Sequence, residues 1–234
     1  MLWIVIPTRN EAAIIGRNLE RLHTSLTSAL HEPWRILVAD NGSTDATRDI
    51  VRDVAARYSD IELYTLDRPG KGHAVMTAWR YAMHQKPTPS HSSLPPHSGG
   101  RRRTGGGGPE IRSPHSRWEG GQGGVGALSD VFLFLDADLA TDPKHVPELV
   151  AAIRGGADIA AASRYLPNSQ TQRSVFRHCI SRVNALLLRL RFGLHMADAP
   201  CGAKAVSARV VRDIVPRIQD DQWFFDTELC IRAQ

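Results

Sequence analysis

Two aspartates set one residue apart, Asp136 and Asp138, are where this chain can do chemistry. They follow Val131-Phe132-Leu133-Phe134-Leu135, an apolar run rich in β-formers that reads as a strand buried on both faces of a parallel sheet. Residues i and i+2 of a strand point to one side, so the two carboxylates are expected to converge at the strand's carboxyl end. Open α/β sheets bind their ligands at that edge. A pair of hard oxygen donors on a short arm suits Mg2+ or Mn2+, which leaves positions open for phosphate oxygens. Alone, the motif also fits a solvated turn; its neighbours carry the argument further.

Those neighbours come from the elements that must position the pair. Leu2-Trp3-Ile4-Val5-Ile6 predicts a first strand closed by Pro7, with Thr8-Arg9-Asn10-Glu11 as its turn. A helix is expected from Ala12 to about Leu30, on the spacing of Ile15, Leu19, Leu22 and Leu26. Arg35-Ile36-Leu37-Val38-Ala39 predicts a second strand ending in Asp40-Asn41-Gly42-Ser43-Thr44-Asp45. Gly42 permits a positive φ there, and Ser43, Thr44 or Asp45 can cap a helix that runs to about Tyr58. Ile61 to Leu66 is a third strand, and Gly70-Lys71-Gly72 opens a helix from His73 to about His84. Asp142-Pro143 starts another helix, and Asp158 to Ala162 is a further strand. Alternating strands and helices predict a single α/β domain over residues 1–234 with a doubly wound, mostly parallel sheet. Adjacent parallel strands would gather Asn10, Glu11, Asp40, Asn41, Asp136 and Asp138 into one crevice. A carboxylate there can accept hydrogen bonds from ribose hydroxyls or a base imide. Gly70-Lys71-Gly72 lacks P-loop spacing, but a cation among glycines at a helix start can contact an anion.

Residues 85–127 interrupt this order. They hold eleven of the 19 glycines and six of the 14 prolines, a composition that cannot bury enough apolar surface to offset its ordering entropy. The segment is expected to be a disordered insertion between a helix and the next strand. Six of its residues are Lys or Arg against two Glu, so it carries +4 of the chain's net +5. The basicity, with a pI near 9.4, therefore belongs to a low-complexity loop with a single aromatic, Trp118, and no nucleic-acid partner is expected. Cys179, Cys201 and Cys230 have no metal-ligand spacing and read as reduced thiols. His145, His178 and His195 likewise lack ligand spacing. No apolar run approaches the about 20 residues needed to span a bilayer. The strand beginning at Leu2 leaves no room for a signal peptide, so a cytoplasmic location is expected.

Taken together, Ile6-Pro7-Thr8-Arg9-Asn10-Glu11, Asp40-Asn41-Gly42-Ser43-Thr44-Asp45, Gly70-Lys71-Gly72 and Asp136-Ala137-Asp138 resemble the family 2 glycosyltransferases, which have the GT-A fold. Ser163-Arg164, Gln172-Arg173-Ser174-x-Phe176-Arg177, Asp198-x-x-Cys201-Gly202-x-Lys204 and Trp223-x-Phe225-Asp226-x-Glu228 are similar to the polyprenyl-phosphate group of that family. The likeness is first to the dolichyl-phosphate β-glucosyltransferases and next to the dolichyl-phosphate mannose synthases.

The resemblance implies inverting transfer of a hexose from a nucleotide sugar to dolichyl or polyprenyl phosphate: glucose from UDP-glucose, or alternatively mannose from GDP-mannose. It implies that Glu11 and Asp40 contact the nucleotide, with Pro7, Asn10, Asn41, Gly70, Lys71 and Asp136 around the donor. Asn41 stands where the family often has a second aspartate. Asp136 and Asp138 would hold the divalent metal, and Asp138, Arg164 and Asp226 would be catalytic. Arg164, Arg173, Arg177 and Lys204 are the candidates for the acceptor phosphate, since arginine forks match phosphate oxygens. Ser174 to Phe192 places Phe176, Ile180, Val183, Leu187 and Leu190 at helical spacing with Arg182, Arg189 and Arg191 among them. Such a segment can lie in a membrane interface, so peripheral association with the cytoplasmic face of a membrane is expected.

Two rival expectations remain at this stage. One is a sugar nucleotidyltransferase, against which stands the absence of a glycine-rich basic loop after the first strand. The other is a non-catalytic nucleotide-sugar-binding module, because the chain stops inside a helix expected from near Asp226 and is read as C-terminally truncated. Trp223, Phe224 and Phe225 read as core, and Lys204, outside the resemblance, as a surface lysine.

Overall fold

The computed structural model describes residues 1–85, 130–162 and 201–233. The segments 86–129 and 163–200 lie outside the described residues, and with them the insertion, Arg164, Arg173, Arg177 and the amphipathic stretch Ser174 to Phe192.

A six-stranded sheet forms the centre, in the order β3-β2-β1-β4-β6-β5. Its strands are β1 (Leu2–Thr8), β2 (Trp34–Asp40), β3 (Ile61–Thr65), β4 (Val131–Leu135), β5 (Ile159–Ala161) and β6 (Ala203–Ser207). β1 pairs in parallel with β2 and β4, and β2 with β3. β6 is antiparallel to both β4 and β5. The mostly parallel sheet is thus as expected, with one reversed strand that sequence periodicity did not reveal. β6 is short, and Lys204 at its second position hides it, since a lysine is a poor sign of a central strand. β1 continues through Pro7 instead of closing there. Pro7 lies opposite Ala39 and beyond the β4 pairing, which ends at Val5. The missing N–H therefore falls where β1 no longer has partners on both sides.

The strands are apolar throughout because both faces are covered. Alternate residues serve opposite sides. Leu2, Ile4 and Ile6 join Leu133 and Leu135 against α1 (Ile15–Ala29), α2 (Thr47–Arg57) and α4 (Val146–Arg154). Trp3, Val5, Phe132 and Phe134 face α3 (Lys71–His84), the helical turns at Val210–Ile214, and α5 (Phe225–Arg232). α1 starts three residues later than expected, at Ile15, because Asn10 to Ala12 are taken up by the neighbouring turn. Asp142 accepts from the Lys144 amide and caps the 3₁₀ turn that leads into α4.

Strand order reverses between β1 and β4. Chain direction is shared there while the connections diverge to opposite sides, which opens a crevice outside the carboxyl ends of these two strands. The turns that bear Glu11 and Asp136 flank it.

Candidate functional site

The wall on the β1 side is a zipper between two turns. Asn10 adopts φ 55°, a left-handed conformation that Asn tolerates better than most residues. Its amide donates to Ser43 Oγ at 3.0 Å, and its side-chain oxygen accepts from the Thr44 amide at 2.8 Å. The Glu11 amide donates to Thr47 Oγ1 at 2.9 Å and the Ala12 amide to Asp45 Oδ2 at 3.2 Å. Asp45 also accepts from the Thr47 amide and hydroxyl. These bonds hold its carboxyl below the ordinary carboxylate range, the Thr47 hydroxyl foremost.

Asp40 is fully buried, accepting from Arg48 Nε at 2.5 Å and from the Ser43 amide. As folded it braces the turn and is closed to a ligand, which leaves Glu11 as the carboxylate at the opening. Asn41 Oδ1 accepts from the Gly70 amide at 2.7 Å, so the residue in place of a second aspartate ties the β2 turn to the start of α3.

Opposite, the aspartate pair sits just past β4, which ends at Leu135. Strand alternation therefore does not orient the two carboxylates; a tight turn does, closed by the Leu139 amide on Asp136 O at 3.0 Å. Leu139 has φ 49°. Asn18, buried on the apolar face of α1, donates to Ala137 O at 2.8 Å and fixes the backbone between the two acids. Asp138 is exposed and accepts from the Ala140 amide at 2.9 Å. A Cβ on Gly202 would come within 2.1 Å of Asp136 Oδ2, so only glycine lets β6 approach this turn so closely. The carboxyl of Glu11 is pushed above its ordinary value by burial and then by the charges of Asp138, Asp45 and Asp136. The acids of the two turns thus lie within one another's field.

A row of alternating charge completes the site. Lys71 Nζ lies 2.8 Å from Asp136 Oδ1 and 3.7 Å from Asp226 Oδ2. Lys204 Nζ lies 3.3 Å from Asp226 Oδ1 and donates to Cys201 O at 2.8 Å. Both ammonium groups stand over the Phe134 ring, at 5.4 and 5.3 Å, and Lys71 also stands 5.3 Å from the Trp223 ring, distances at which the ring quadrupole attracts a cation. Burial pushes the Asp226 carboxyl up despite its two lysine partners. Lys204 is 0% exposed: it is neither a surface lysine nor, as folded, open to a phosphate.

The start of α3 differs from the expected anion cradle. The amides of Gly70, Gly72 and His73 are given to Asn41 Oδ1, Gln222 O and Asp221 O. What that turn offers a ligand is the Lys71 ammonium. Of the three aromatic residues read as core, only Phe225 is buried; Trp223 is 77% and Phe224 50% exposed. Glu228 turns away from Asp226 and accepts from the Gln219 and Asp220 amides and from Arg232, as i and i+2 positions on a helix must diverge.

Asp136 and Asp138 suit Mg2+ or Mn2+ held largely by substrate: these ions keep several waters and need only one or two carboxylates beside phosphate oxygens. The donor chemistry fits, since both are hard oxygen ligands and an ammonium cation already sits against one of them. Among the described residues no group of three or more His, Cys, Asp or Glu forms a closed cage. Asn18 and Thr47 are positioning residues that sequence reasoning did not single out, and Gly202 entered it only as part of a motif, without this role. A signal existed for Asn18 alone, a polar residue inside the apolar stripe of α1.

Comparison with known proteins gives the family and the fold. The family model described as Glycosyl transferase family 2 matches residues 3–85 and 126–215. The chain is 28% identical over 234 residues to glycosyltransferase AglD of Haloferax volcanii, covering 99% of this chain and 30% of that protein. It is 26% identical over 208 residues to the undecaprenyl-phosphate 4-deoxy-4-formamido-L-arabinose transferase of Pectobacterium carotovorum, covering 89% and 49%. Similarity to the dolichol-phosphate mannosyltransferase of Pyrococcus furiosus is 26% over 181 residues, covering 76% and 38%. The chain thus spans between 30% and 49% of the length of these relatives. Among solved structures, glucosyl-3-phosphoglycerate synthase of Mycobacterium tuberculosis, in complex with Mn2+, UDP and glucosyl-3-phosphoglycerate, superposes with a TM-score of 0.51 at 18% identity. That match covers 90% of this chain and 57% of the other and shows a shared fold.

Proposed function

Because the chain belongs to glycosyltransferase family 2 and has a GT-A-like fold, we propose that it transfers a hexose from a nucleotide sugar to a polyprenyl phosphate. The donor of this reading is UDP-glucose, the acceptor dolichyl or polyprenyl phosphate, and the anomeric centre is inverted. The observation that carries it is the meeting of Glu11, Asp136 and Asp138 at the switch point of the sheet, with Lys71 and Asp226 beside them.

In this reading the nucleotide lies along the zippered turns with Glu11 accepting from its hydroxyl or imide groups, and Asp40 holds that turn from behind. Asp136 and Asp138 would hold Mg2+ or Mn2+, which when bound neutralises charge on the departing nucleoside diphosphate, where electrostatic stabilisation matters most. Lys71 adds a second positive charge on the same side. An acceptor phosphate oxygen forms the new bond to the anomeric carbon as the bond from that carbon to the diphosphate oxygen breaks. The phosphate monoester is largely dianionic near neutral pH, with a second pKa of about 6, so the protein must orient it more than deprotonate it. Asp226, buried and paired with both lysines as folded, is proposed to accept from the sugar hydroxyls or take the proton of the monoanionic acceptor once Lys71 turns away from it. Arg164, Arg173 and Arg177 are proposed to fork the acceptor phosphate, whereas Lys204 acts through Asp226.

A lipid-linked acceptor must be met at a bilayer. No helix among the described residues is long and apolar enough to cross a membrane. The exposed Trp223 and Phe224, with the basic amphipathic stretch Ser174 to Phe192, support peripheral attachment at the cytoplasmic face.

The test is a donor screen with polyprenyl phosphate and Mn2+ or Mg2+, reading lipid-phosphate hexose by mass. UDP-glucose is expected to give product and GDP-mannose not; product from GDP-mannose alone would reassign the sugar. Donor binding without any lipid product would reduce the chain to a nucleotide-sugar-binding module, and pyrophosphate release from UTP and sugar phosphate would move it to the nucleotidyltransferases.

A further inference from the structure

Lys71 makes the only contact among the described residues in which an ammonium meets one of the paired aspartates, at 2.8 Å from Asp136 Oδ1. It is largely enclosed, between the rings of Phe134 and Trp223 and 3.7 Å from Asp226. From this geometry we infer that Lys71 is an internal counter-ion which occupies Asp136 until a divalent cation takes its place, after which it turns to the diphosphate that arrives with the cation. The metal half of this inference rests only on the aspartate pair; the diphosphate half rests on the proposed function.

Three observations support an exchange of partners instead of a fixed salt bridge. First, Lys71 sits on Asp136 Oδ1, and a divalent cation on the same carboxylate would bring two positive charges close together in a partly desolvated site, where they repel and favour departure of the ammonium. Second, the backbone under Lys71 is clamped. The Gly70 amide is held by Asn41, and the Gly72 and His73 amides by Gln222 and Asp221. A Cβ on Gly72 would come within 2.6 Å of Phe225 Cβ, so α3 cannot slide, and the change must be a rotation within the lysine's four-carbon stem. Third, Asp226 has Lys204 as a second partner at 3.3 Å, so it stays paired when Lys71 leaves. The tether keeps the ammonium at a high effective concentration near Asp136. The row of Asp136, Lys71, Asp226 and Lys204 is therefore balanced in formal charge, and a bare cation must displace Lys71 from Asp136, which is easiest when a diphosphate offers Lys71 a new partner.

The experiment titrates Mn2+ alone into the full chain, followed by electron paramagnetic resonance of the free ion, for wild type, Lys71→Met and Lys71→Arg. Lys71→Met is expected to tighten Mn2+ about tenfold, because it removes a competing charge, and to lower the melting temperature in chelator. Lys71→Arg should stay near wild type. Equal Mn2+ affinity in wild type and a folded Lys71→Met would overturn the inference. So would weaker binding in that variant, which would make Lys71 an orienting residue for Asp136. No Mn2+ binding to either would remove the inference together with the metal assignment. Should Lys71→Met fail to fold, wild type labelled with 15N-lysine decides: the Lys71 ammonium signal is expected to be sharp without metal and lost to solvent exchange with Mg2+. An unchanged signal at saturating Mg2+ sinks the proposal. Neither measurement involves a sugar donor, so a failed donor screen leaves both readable.

Discussion

The turns that follow β1 and β2 are joined by backbone amides meeting side-chain oxygens: Asn10 to Ser43, Thr44 to Asn10, Glu11 to Thr47 and Ala12 to Asp45. Beside β4 the linkage is of another kind, a row of whole charges running from Asp136 through Lys71 and Asp226 to Lys204. The first region uses short side chains whose partners lie 33 to 36 residues away on an adjacent parallel strand. The second brings together residues 71, 136, 204 and 226 from four separate elements. Short polar side chains on clamped backbone make a fixed wall, suited to recognising a nucleotide. Long cationic stems among carboxylates make a rearrangeable floor, suited to a group whose charge changes during transfer.

That contrast can be broken most sharply at the charged end. Asp136→Asn is expected to reduce lipid-linked product by about a hundredfold or more, with a modest fall in melting temperature from the lost contact to Lys71; chelation of divalent cations should reduce product likewise in the unaltered chain. Retained turnover in either case would show that the row is structural. Lys204→Met should cost about 3 kcal/mol of stability by leaving Asp226 buried without its inner partner, read as a lower urea midpoint. An unchanged midpoint would mean that Lys71 alone satisfies Asp226.

On the wall side the effects should be smaller. Thr47→Val removes the acceptor for the Glu11 amide and should cost about 1 kcal/mol. It should also raise the KM for donor more than it lowers turnover; a collapse of turnover instead would erase the distinction between wall and floor. Smallest is Glu11→Gln. Burial and neighbouring aspartates raise the Glu11 carboxyl, so the folded state holds that proton more tightly than the unfolded chain does. The favourable contribution is complete at acid pH below the ordinary glutamate range and is lost as pH rises through the folded value. Melting curves should therefore show Glu11→Gln slightly more stable than wild type at neutral pH and equal to it in acid. A variant less stable at neutral pH would place Glu11 in a bond not seen here.

Much of the fold was legible in the residues. Five strands announced themselves as apolar runs, and their polar ends placed Glu11, Asp136 and Asp138 on one edge. β6 did not, because its sign of burial is inverted: Lys204 sits in the middle of the core side of the sheet, and only Phe134, Cys201 and Asp226 around it make that tolerable. Trp223 and Phe224 misled in the opposite sense, as large aromatics left outside. Asp40 reads as a ligand-facing acid at a strand end, yet Arg48, in the first turn of the next helix, draws it inward.

By itself, then, the chain determined five of the six strands, that they run mostly parallel, and which turns carry acids, because periodicity, turn residues and strand ends are local properties. Tertiary structure alone decided which acids stay open and which are claimed by a neighbouring cation. It also decided that Gly202 lies against Asp136 and that Lys71 reaches that carboxylate. Such pairings depend on side chains from distant elements competing for the same few ångströms, and no local pattern records the outcome of that competition.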